Sequence, residues 1–310
     1  MGFEHEGSKQ RFLVVGDNHG DAESLKTVVE ETAGEKFDFV IHTGDITDAY
    51  HRGVDTAADQ LRSLEPLFET LAERGELVYI YGNRDSERGG DSHVTDRYEL
   101  SPGTHLPSGD SVKVAGQRFT ADPDAVTAGD VLVTHGQFPT PFYKFEGRAY
   151  FCGHTHRGWH RGRALNAAHL KNVRKGYLGA YFIVTVDDSS LDVECYGIDE
   201  PWKAVECPDH NWVGTQYQPA KFGCRLCKFG EAESLRDVAW AAYTLHVDDP
   251  GEEAIDATDL MTQALSLLDG SDQFEEQFRG YINALLEQPG PHDPLQPSDG
   301  HPTRLVPRSW

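Results

Sequence analysis

Residues 11–34 read RFLVVGDNHGDAESLKTVVEETAG. The apolar run at the start has the length of a buried strand and ends abruptly in a glycine with Asp17 and His19. Asp21 can cap the amphipathic segment behind it, which predicts a helix that ends near Gly34. The stretch therefore predicts a strand, a polar turn and a helix, the repeating unit of an α/β protein.

The same pattern of an apolar run that ends in glycine with Asp, Asn or His recurs four times. The runs read FDFVIHTGD at 37–45, ELVYIYGNRD at 76–85, DVLVTHG at 130–136 and RAYFCGHTH at 148–156. A helical segment is expected from about Thr56 to Arg74, and alternation around residues 187–190 predicts a β-hairpin. Because α/β sheets collect ligands beyond the carboxyl ends of their strands, we expect these polar turns to meet.

The turns carry carboxylates, imidazoles and one amide, namely Asp17, His19, Asp45, Asn83, His135, His154 and His156. A single Asp or His in a loop is usually a solvated or locally bonded residue, but turn chemistry alone does not explain this many. Nitrogen and oxygen donors suit two adjacent divalent ions of manganese, iron, cobalt, nickel or zinc. A shared carboxylate usually holds such ions roughly 4 Å apart, and Asp45 is the candidate for that role.

The order of these motifs resembles that of the calcineurin-like metallophosphoesterases. The family series GDxHG, GD, GNxD, H before G, and GHxH corresponds to GDNHG at 16–20, GD at 44–45, GNRD at 82–85, HG at 135–136 and GHTH at 153–156. The resemblance covers about residues 11–198 and implies a four-layer α/β/β/α sandwich with a dinuclear centre. It implies one ion on Asp17, His19 and His156, a second on Asn83, His135 and His154, and Asp45 as the bridge.

The same resemblance implies hydrolysis of phosphate esters by a hydroxide that bridges the two ions, for which Mn2+ is favoured. We expect the catalytic residues to be Asp45, Asn83, Arg84, Asp85 and His154, and the substrate to be a small-molecule phosphate ester, with phosphodiesters favoured. A nuclease or a nucleotide-processing phosphohydrolase is an alternative within this chemistry. A scaffold protein that keeps the fold without catalysis is an alternative from another class.

Arg84 departs from the GNHD motif of many family members, whose histidine is thought to protonate the leaving oxygen or to stabilise the transition state. Arginine stays charged at any working pH and cannot serve as a general acid. Three interpretations remain open: a clamp on a phosphate oxygen, a structural partner of Asp85 or another carboxylate, and an exposed arginine without a role. Without a histidine at this position, the enzyme would act on substrates with good leaving groups, or the leaving oxygen would take a proton from metal-bound water, His42, His51 or His93.

A second set of candidate metal ligands lies in CPDH at 207–210 and CRLC at 224–227. Each pair can hold one ion from a tight turn, which predicts a structural Zn2+ on Cys207, His210, Cys224 and Cys227. Reduced cysteines without a ligand are the alternative. A site closed by four protein ligands would stabilise the fold and would not catalyse.

The chain carries a formal net charge of -23, from 51 acidic and 28 basic residues. This acidity is typical of a halophilic protein and suggests a haloarchaeal type, with an acidic patch for a basic partner as the alternative. A nucleic-acid partner is not favoured, because the one basic cluster, residues 157–163, is short. Residues 1–10 lack signal-peptide features and no apolar run could span a membrane, so we expect a cytoplasmic protein without a membrane partner.

The composition changes along the chain divide it into four predicted segments. These are a catalytic domain at 1–205, a zinc module at 206–228, an acidic helical segment at 229–290 and a disordered tail at 291–310, the last because of its Pro and Gly density. Neither a partner for the helical segment nor an oligomeric state is indicated.

Overall fold

The structure is a computed structural model that describes residues 9–172, 175–176, 178–187, 190–247, 253–268 and 272–308. The described residues form two compact units. Unit 1 holds those within 1–137, 146–204 and 216–222, and unit 2 holds those within 138–145, 205–215 and 223–310. The four predicted segments do not coincide with this division. Residues 216–219, predicted to belong to the zinc module, extend a sheet of unit 1, and residues 138–145, predicted to belong to the catalytic domain, fall in unit 2.

The secondary structure of unit 1 begins with a strand, as the opening stretch of sequence predicts. The strands are β1 (Gln10–Val15), β2 (Phe39–His42), β3 (Glu76–Tyr79), β4 (Thr104–His105), β5 (Ser111–Val114), β6 (Gln117–Thr120), β7 (Val131–Val133), β8 (Ala149–Cys152), β9 (Gly158–Arg161), β10 (Ala164–Asn166), β11 (Ala180–Val186), β12 (Leu191–Gly197), β13 (Trp202–Val205) and β14 (Thr215–Pro219). The helices are α1 (Ala22–Glu31), α2 (Ala49–Arg52) and α3 (Val54–Ala72).

Two sheets organise the described part of unit 1, in the orders β12-β11-β1-β2-β3-β4 and β13-β14-β9-β10-β8-β7-β6-β5. In the first sheet β1, β2 and β3 are parallel neighbours, and in the second β7 and β8 are parallel neighbours. β11 and β12 form the predicted antiparallel hairpin, of which residues 188 and 189 lie outside the described residues. Parallel pairing brings the carboxyl ends of neighbouring strands to the same edge of a sheet.

Alternation along the strands creates two apolar cores. Phe12 of β1 faces the space between the sheets, where its ring lies 5.3 Å from that of Phe151. Leu13 points to the opposite face and belongs to the core that α1 and α3 cover. Asp21 caps α1 as predicted, because its carboxylate accepts the Ser24 N–H at 3.0 Å. The result is the mixed α/β sandwich predicted from the sequence.

Unit 2 is built mainly from helices. They are α4 (Pro139–Tyr143), α5 (Arg225–Phe229), α6 (Ala232–His246), α7 (Ala257–Leu267) and α8 (Asp272–Glu287), and the strands are β15 (Ile255–Asp256), β16 (Leu295–Ser298) and β17 (His301–Pro307). The strands form one antiparallel sheet in the order β15-β17-β16. No helix among the described residues has the length and apolar character needed to cross a membrane.

The disordered tail predicted at 291–310 is wrong for the stretch that contains β16 and β17. Leu295 and Leu305 are completely buried, so this segment contributes to the core of unit 2. The Asp299–Gly300 pair between the strands is a hairpin-turn signal that the high Pro and Gly content obscured. Pro297 is tolerated because the register shifts beside it, as at a β-bulge.

Candidate metal centres

The seven predicted ligands of the first site all follow strand ends that the two sheets bring together. Asp17 and His19 follow β1, Asp45 follows β2, Asn83 lies beyond β3, His135 follows β7, and His154 and His156 follow β8. The structure gathers six of them into two groups, one around Asp17 and one around Asp45, whose ligand atoms lie within 4.8 Å of one another, and Asn83 Oδ1 lies beside the second group. We call them the Asp17 group (Asp17, His19, His156) and the Asp45 group (Asp45, Asn83, His135, His154).

The Asp17 group is the more deeply buried of the two. Asp17 is completely buried and His19 is 4% exposed. His156 Nε2 lies 3.1 Å from His19 Nε2 and 3.2 Å from Asp17 Oδ1. Asp17 Oδ1 has no hydrogen-bond donor within the described residues, which is costly for a buried carboxylate oxygen and fits a position that an ion would fill.

The Asp45 group includes the exposed residues Asn83 and His154, so this group is the one that opens to solvent. Asn83 Oδ1 lies 3.0 Å from His135 Nε2 and 2.9 Å from His154 Nδ1. The two imidazole nitrogens are themselves 3.2 Å apart. Three ligand atoms therefore converge on one point.

Asp45 connects the two groups through its two carboxylate oxygens. Oδ1 lies 3.2 Å from His135 Nε2, and Oδ2 lies 4.0 Å from His19 Nδ1. Asp45 is 2% exposed, so both oxygens are removed from bulk water. Oδ2 approaches the Asp17 group at Nδ1 of His19, while Nε2 of the same ring faces His156. One oxygen toward each group is the arrangement expected of a carboxylate shared by two ions.

The spacing within both groups fits metal coordination. Ligand atoms about 2.1 Å from a common ion lie roughly 3.0 to 3.4 Å apart at octahedral to tetrahedral angles. The closest contacts in the two groups, from 2.9 to 3.2 Å, fall close to this range. Several of them join two acceptor atoms that need a cation or a shared proton between them.

Backbone strain is concentrated at the same residues. Among the non-glycine residues that the structure describes, those with positive φ include Asp17, His19, Asp45, His154 and His156, with φ from 50° to 69°. Such conformations cost about 1 to 3 kcal/mol each and persist only where surrounding bonds enforce them. Here Asp17 N–H donates to Gly44 O at 2.9 Å, and His154 N–H donates to Asp17 Oδ2 at 3.0 Å.

The electrostatics of the pocket favour positive charge. Burial alone would raise the pKa of Asp17, but the close approach of His156 and the charges of neighbouring imidazoles hold it well below its ordinary value. Burial alone would lower the pKa of His135, but hydrogen bonding to Asp45 and its charge raise it to about 9. The His135 proton is thus retained beside the Asp45 carboxylate, in a position where a metal ion would supply the charge instead.

Asp85, predicted to be catalytic, has a different position. It is completely buried and accepts hydrogen bonds from Gly82 N–H at 2.7 Å, from Ile46 N–H at 3.2 Å, and from both Thr47 N–H and hydroxyl at 2.7 Å. Its oxygens join the turn after β3 to the turn after β2. Asp85 is therefore a positioning residue for the Asp45 group and does not form part of it.

Arg84 is not paired with Asp85, which removes one interpretation of this residue. Its N–H donates to Asp45 Oδ1 at 2.7 Å, while its guanidinium lies 4.5 Å from the centre of the Tyr50 ring and 3.0 Å from His51 Nε2. Within the described residues no carboxylate forms an ion pair with Arg84. The idle, exposed interpretation is also wrong, because the side chain is half-buried in these contacts.

The alternative proton donors are not equivalent in position. His42 is completely buried, its Nε2 bonds Asn18 Oδ1 at 3.0 Å, and burial lowers its pKa to about 3, so it is a neutral structural residue. His93 accepts the Thr95 N–H at 3.2 Å as the cap of a short 3-10 turn. Only His51 of the three contacts Arg84.

Sequence reasoning missed residues that orient the predicted ligands. The Thr43 carbonyl accepts His135 Nδ1–H at 2.9 Å, which directs Nε2 into the Asp45 group. His169 Nδ1 lies 3.2 Å from His156 O, and burial lowers the pKa of His169 to about 4, so the neutral ring donates. No motif marks either position, because each acts through a backbone carbonyl that only the fold brings near.

Gly82 allows the close approach of the turns, and we expect Gly82→Ala to impair the centre. A Cβ there would lie 2.3 Å from Asp45 Oδ1 and 2.8 Å from His135 Cε1. The displaced carboxylate should lower ion binding and reduce any metal-dependent turnover by about a hundredfold, as 1 Å misplacements can. Gly129→Ala is the control, because its Cβ would meet nothing within 4 Å. Equal metal content and turnover in both variants would contradict this expectation.

The second candidate metal centre lies in unit 2, where all four predicted ligands meet. His210 Nδ1 lies 3.5 Å from Cys207 Sγ, 3.6 Å from Cys224 Sγ and 3.4 Å from Cys227 Sγ, and the Cys207 and Cys227 sulfurs are 3.6 Å apart. Tetrahedral Zn2+ places such atoms roughly 3.5 to 3.8 Å from one another, whereas a disulfide needs about 2.05 Å. The cysteines form no disulfide, and the set could hold an ion.

Residues 10–158 match the family model described as calcineurin-like phosphoesterase. A conserved uncharacterized protein from Streptococcus pneumoniae TIGR4, described as a predicted phosphoesterase, has 22% identity over 62% of this chain and 91% of its own, with a TM-score of 0.35. The phosphoesterase Yfce from E. coli has 18% identity over 61% of this chain and 100% of its own, with a TM-score of 0.35. The nuclease MPE from Pseudomonas putida has 18% identity over 56% of this chain and 83% of its own, with a TM-score of 0.30. No curated protein matches the chain.

Proposed function

We propose, from the premise that residues 10–158 of this chain belong to the calcineurin-like phosphoesterase family, that the protein is a dinuclear metal-dependent phosphoesterase. The observation that carries the proposal is the connection of two ligand groups by the two oxygens of Asp45. Two divalent ions bound there would supply an activated water as the nucleophile and would neutralise charge on the phosphate. Mn2+ is favoured, and the nitrogen and oxygen donors also suit Fe, Co, Ni or Zn.

The residues of the chain supply the geometry for this reaction. Asp17 and His19 are buried, so they define the closed side of the centre, whereas the exposed Asn83 and His154 line the side from which a substrate can approach. The bond from the Thr43 carbonyl keeps the His135 ring in one orientation. Pre-organised ligands of this kind avoid reorganisation during the reaction.

We further propose that phosphodiesters and esters with good leaving groups are the preferred substrates. Arg84 is the ionisable side chain nearest in sequence to Asn83, and a guanidinium cannot deliver a proton to a leaving oxygen. A nuclease or nucleotide-processing enzyme would use the same centre. A catalytically inactive scaffold is disfavoured, because such a protein would be expected to lose ligands and all seven are present.

The test of this function compares bis(p-nitrophenyl) phosphate with p-nitrophenyl phosphate in molar KCl. We expect Mn2+-loaded protein to cleave the diester with a kcat/KM about tenfold or more above that for the monoester. Chelation should abolish turnover and added Mn2+ should restore it, because both ligand groups need cations.

Three other outcomes would change the proposal. Faster monoester cleavage would contradict the diester preference, and rapid cleavage of a single-stranded oligonucleotide would favour the nuclease. If neither ester were cleaved with any of the five metals (Mn, Fe, Co, Ni or Zn), the catalytically inactive scaffold would be the remaining function.

For unit 2 we propose that Cys207, His210, Cys224 and Cys227 hold a structural Zn2+. His210 would bind through Nδ1, and its Nε2 lies 3.8 Å from Glu231 Oε2, a carboxylate placed to orient the ring. Four protein ligands leave no open position for a substrate. The site would stabilise unit 2 by joining the segment before β14 to α5.

A further inference from the structure

Arg84 lies against three residues in and just before α2, which we call the α2 cradle (Asp48, Tyr50, His51). The Tyr50 ring faces the guanidinium at 4.5 Å, a distance typical of a cation–π contact. On the neighbouring residue, Arg84 Nη1 lies 3.0 Å from His51 Nε2 and 3.3 Å from His51 Nδ1, so Nε2 is the nearer of the two ring nitrogens. The guanidinium is thus held by a ring face and a nitrogen, with no carboxylate partner among the described residues.

Asp48 determines which nitrogen His51 offers to Arg84. Asp48 Oδ1 lies 2.7 Å from His51 Nδ1, and the Asp48 side chain is 5% exposed. A carboxylate at this distance requires a proton on Nδ1, which leaves Nε2 as an acceptor for the guanidinium N–H. Asp48 therefore holds the His51 ring in place beside the Arg84 guanidinium.

The positions of the cradle and of Arg84 relative to the Asp45 group are constrained by backbone bonds. Arg84 N–H donates to Asp45 Oδ1, and Asp85 accepts from Ile46 and Thr47, which precede α2. Glu87 accepts the Val54 N–H at 3.1 Å just beyond α2. The turn after β3 is thus fastened to both ends of the segment that carries the cradle.

We propose that the α2 cradle positions the Arg84 guanidinium to bind a non-bridging oxygen of the substrate phosphate, an inference that rests on the proposed phosphoesterase function. A guanidinium that keeps its full charge, has no carboxylate partner in the described chain and follows Asn83 directly is suited to an anion. The cradle lowers the entropy lost when this long side chain binds, because the contacts with Tyr50 and His51 already restrict it.

The competing role for His51 is donation of a proton to the leaving oxygen. The geometry disfavours it, because the nitrogen that would carry the proton faces the positive charge of Arg84 at 3.0 Å. The two roles differ in a measurable way. A positioning residue acts only through Arg84, whereas a proton donor acts independently of it.

The experiment is a double-mutant cycle on Mn2+-loaded full-length protein with Arg84→Ala, His51→Ala and the double variant. The kcat and KM for bis(p-nitrophenyl) phosphate and the Kd of inorganic phosphate by calorimetry are measured for each. We expect Arg84→Ala to weaken phosphate binding about tenfold or more, as loss of a charged hydrogen bond does. His51→Ala should weaken it about threefold, and the double variant should match Arg84→Ala.

Two further variants separate positioning from other effects. His51→Gln keeps an acceptor and should restore most of the phosphate affinity. Arg62→Ala is the matched control, because Arg62 also lies over a tyrosine, Tyr98, at 4.9 Å and pairs with Asp59 on the exposed face of α3. It removes the same charge and should leave phosphate binding unchanged.

The inference would be overturned if Arg84→Ala bound phosphate as wild type does. Additive losses in the double variant, with a fall in kcat that is larger for poor leaving groups, would assign His51 as a proton donor instead. Failure of the proposed function is distinguishable, since the wild type itself would then cleave no ester with any metal.

Discussion

Asp45→Asn is expected to lower diester turnover by about a thousandfold or more, equivalent to about 4 kcal/mol of transition-state stabilisation. Asp45 is the residue whose two oxygens approach both ligand groups, at 3.2 Å from His135 Nε2 and 4.0 Å from His19 Nδ1. An amide can present only one oxygen and carries no charge, so residue 45 should no longer bind both ions. The measurements are kcat/KM for bis(p-nitrophenyl) phosphate and Mn2+ content per chain.

Asp130→Asn is the matched control for Asp45→Asn. Asp130 is also a buried carboxylate of unit 1, 3% exposed, but it pairs with Arg118 and accepts the Thr127 N–H at 2.8 Å. This variant should keep both its Mn2+ content and its turnover per folded molecule. If Asp45→Asn kept more than about a tenth of the wild-type turnover with both ions bound, Asp45 would not be the bridging residue.

Cys207→Ser is expected to remove the structural Zn2+ and to destabilise unit 2. Cys207 is 7% exposed and contacts both His210 and Cys227, so its loss opens the set of four ligands. Structural zinc sites contribute folding free energy directly, and a loss of about 3 kcal/mol would lower the melting temperature of a unit this size by roughly 10 °C or more. Metal content after loading with Zn2+ should fall from about three to about two ions per chain.

Cys195→Ser is the control for this loss. Cys195 lies on β12 in unit 1, half-buried and outside the ligand set, so Zn2+ content should be unchanged. Calorimetric melting of both variants, with and without added Zn2+, separates ion loss from local repacking. If Cys207→Ser contained as much Zn2+ as the wild type, the four residues would not be zinc ligands, and reduced cysteines without a metal would be the correct interpretation.

The location of the first centre was predictable from local sequence because strand ends are encoded locally. Apolar runs such as RFLVV and FVIH form β1 and β2, and a glycine within two residues of the end of each run marks the point where the chain turns. Parallel pairing then brings Asp17 and Asp45 to one edge without further information. Each of the two residue pairs in the Cys3His set was likewise visible in the local sequence, although the fold of unit 2 is what brings the two pairs together.

The roles of Arg84 and Asp85 could not be read from the motif. Both are charged neighbours in one turn, yet one accepts four hydrogen bonds in the interior and the other lies against Tyr50 and His51. Their division of roles depends on α2, which lies more than thirty residues earlier in the chain. The tail was mispredicted for a related reason, since burial of Leu295 and Leu305 depends on partners that composition does not specify.

The sequence by itself determined the α/β class, the strand-end positions of the seven candidate oxygen and nitrogen ligands and the two residue pairs of the candidate zinc site. These features depend on hydrophobic periodicity, glycine and ligand chemistry, which act over a few residues. The tertiary structure alone decided which oxygen of Asp45 faces which group, that Asp85 holds the turns together, and that Asp48, Tyr50 and His51 surround Arg84. These depend on distances between segments far apart in the chain, which are set by the packing of the sheets and by bonds between their turns.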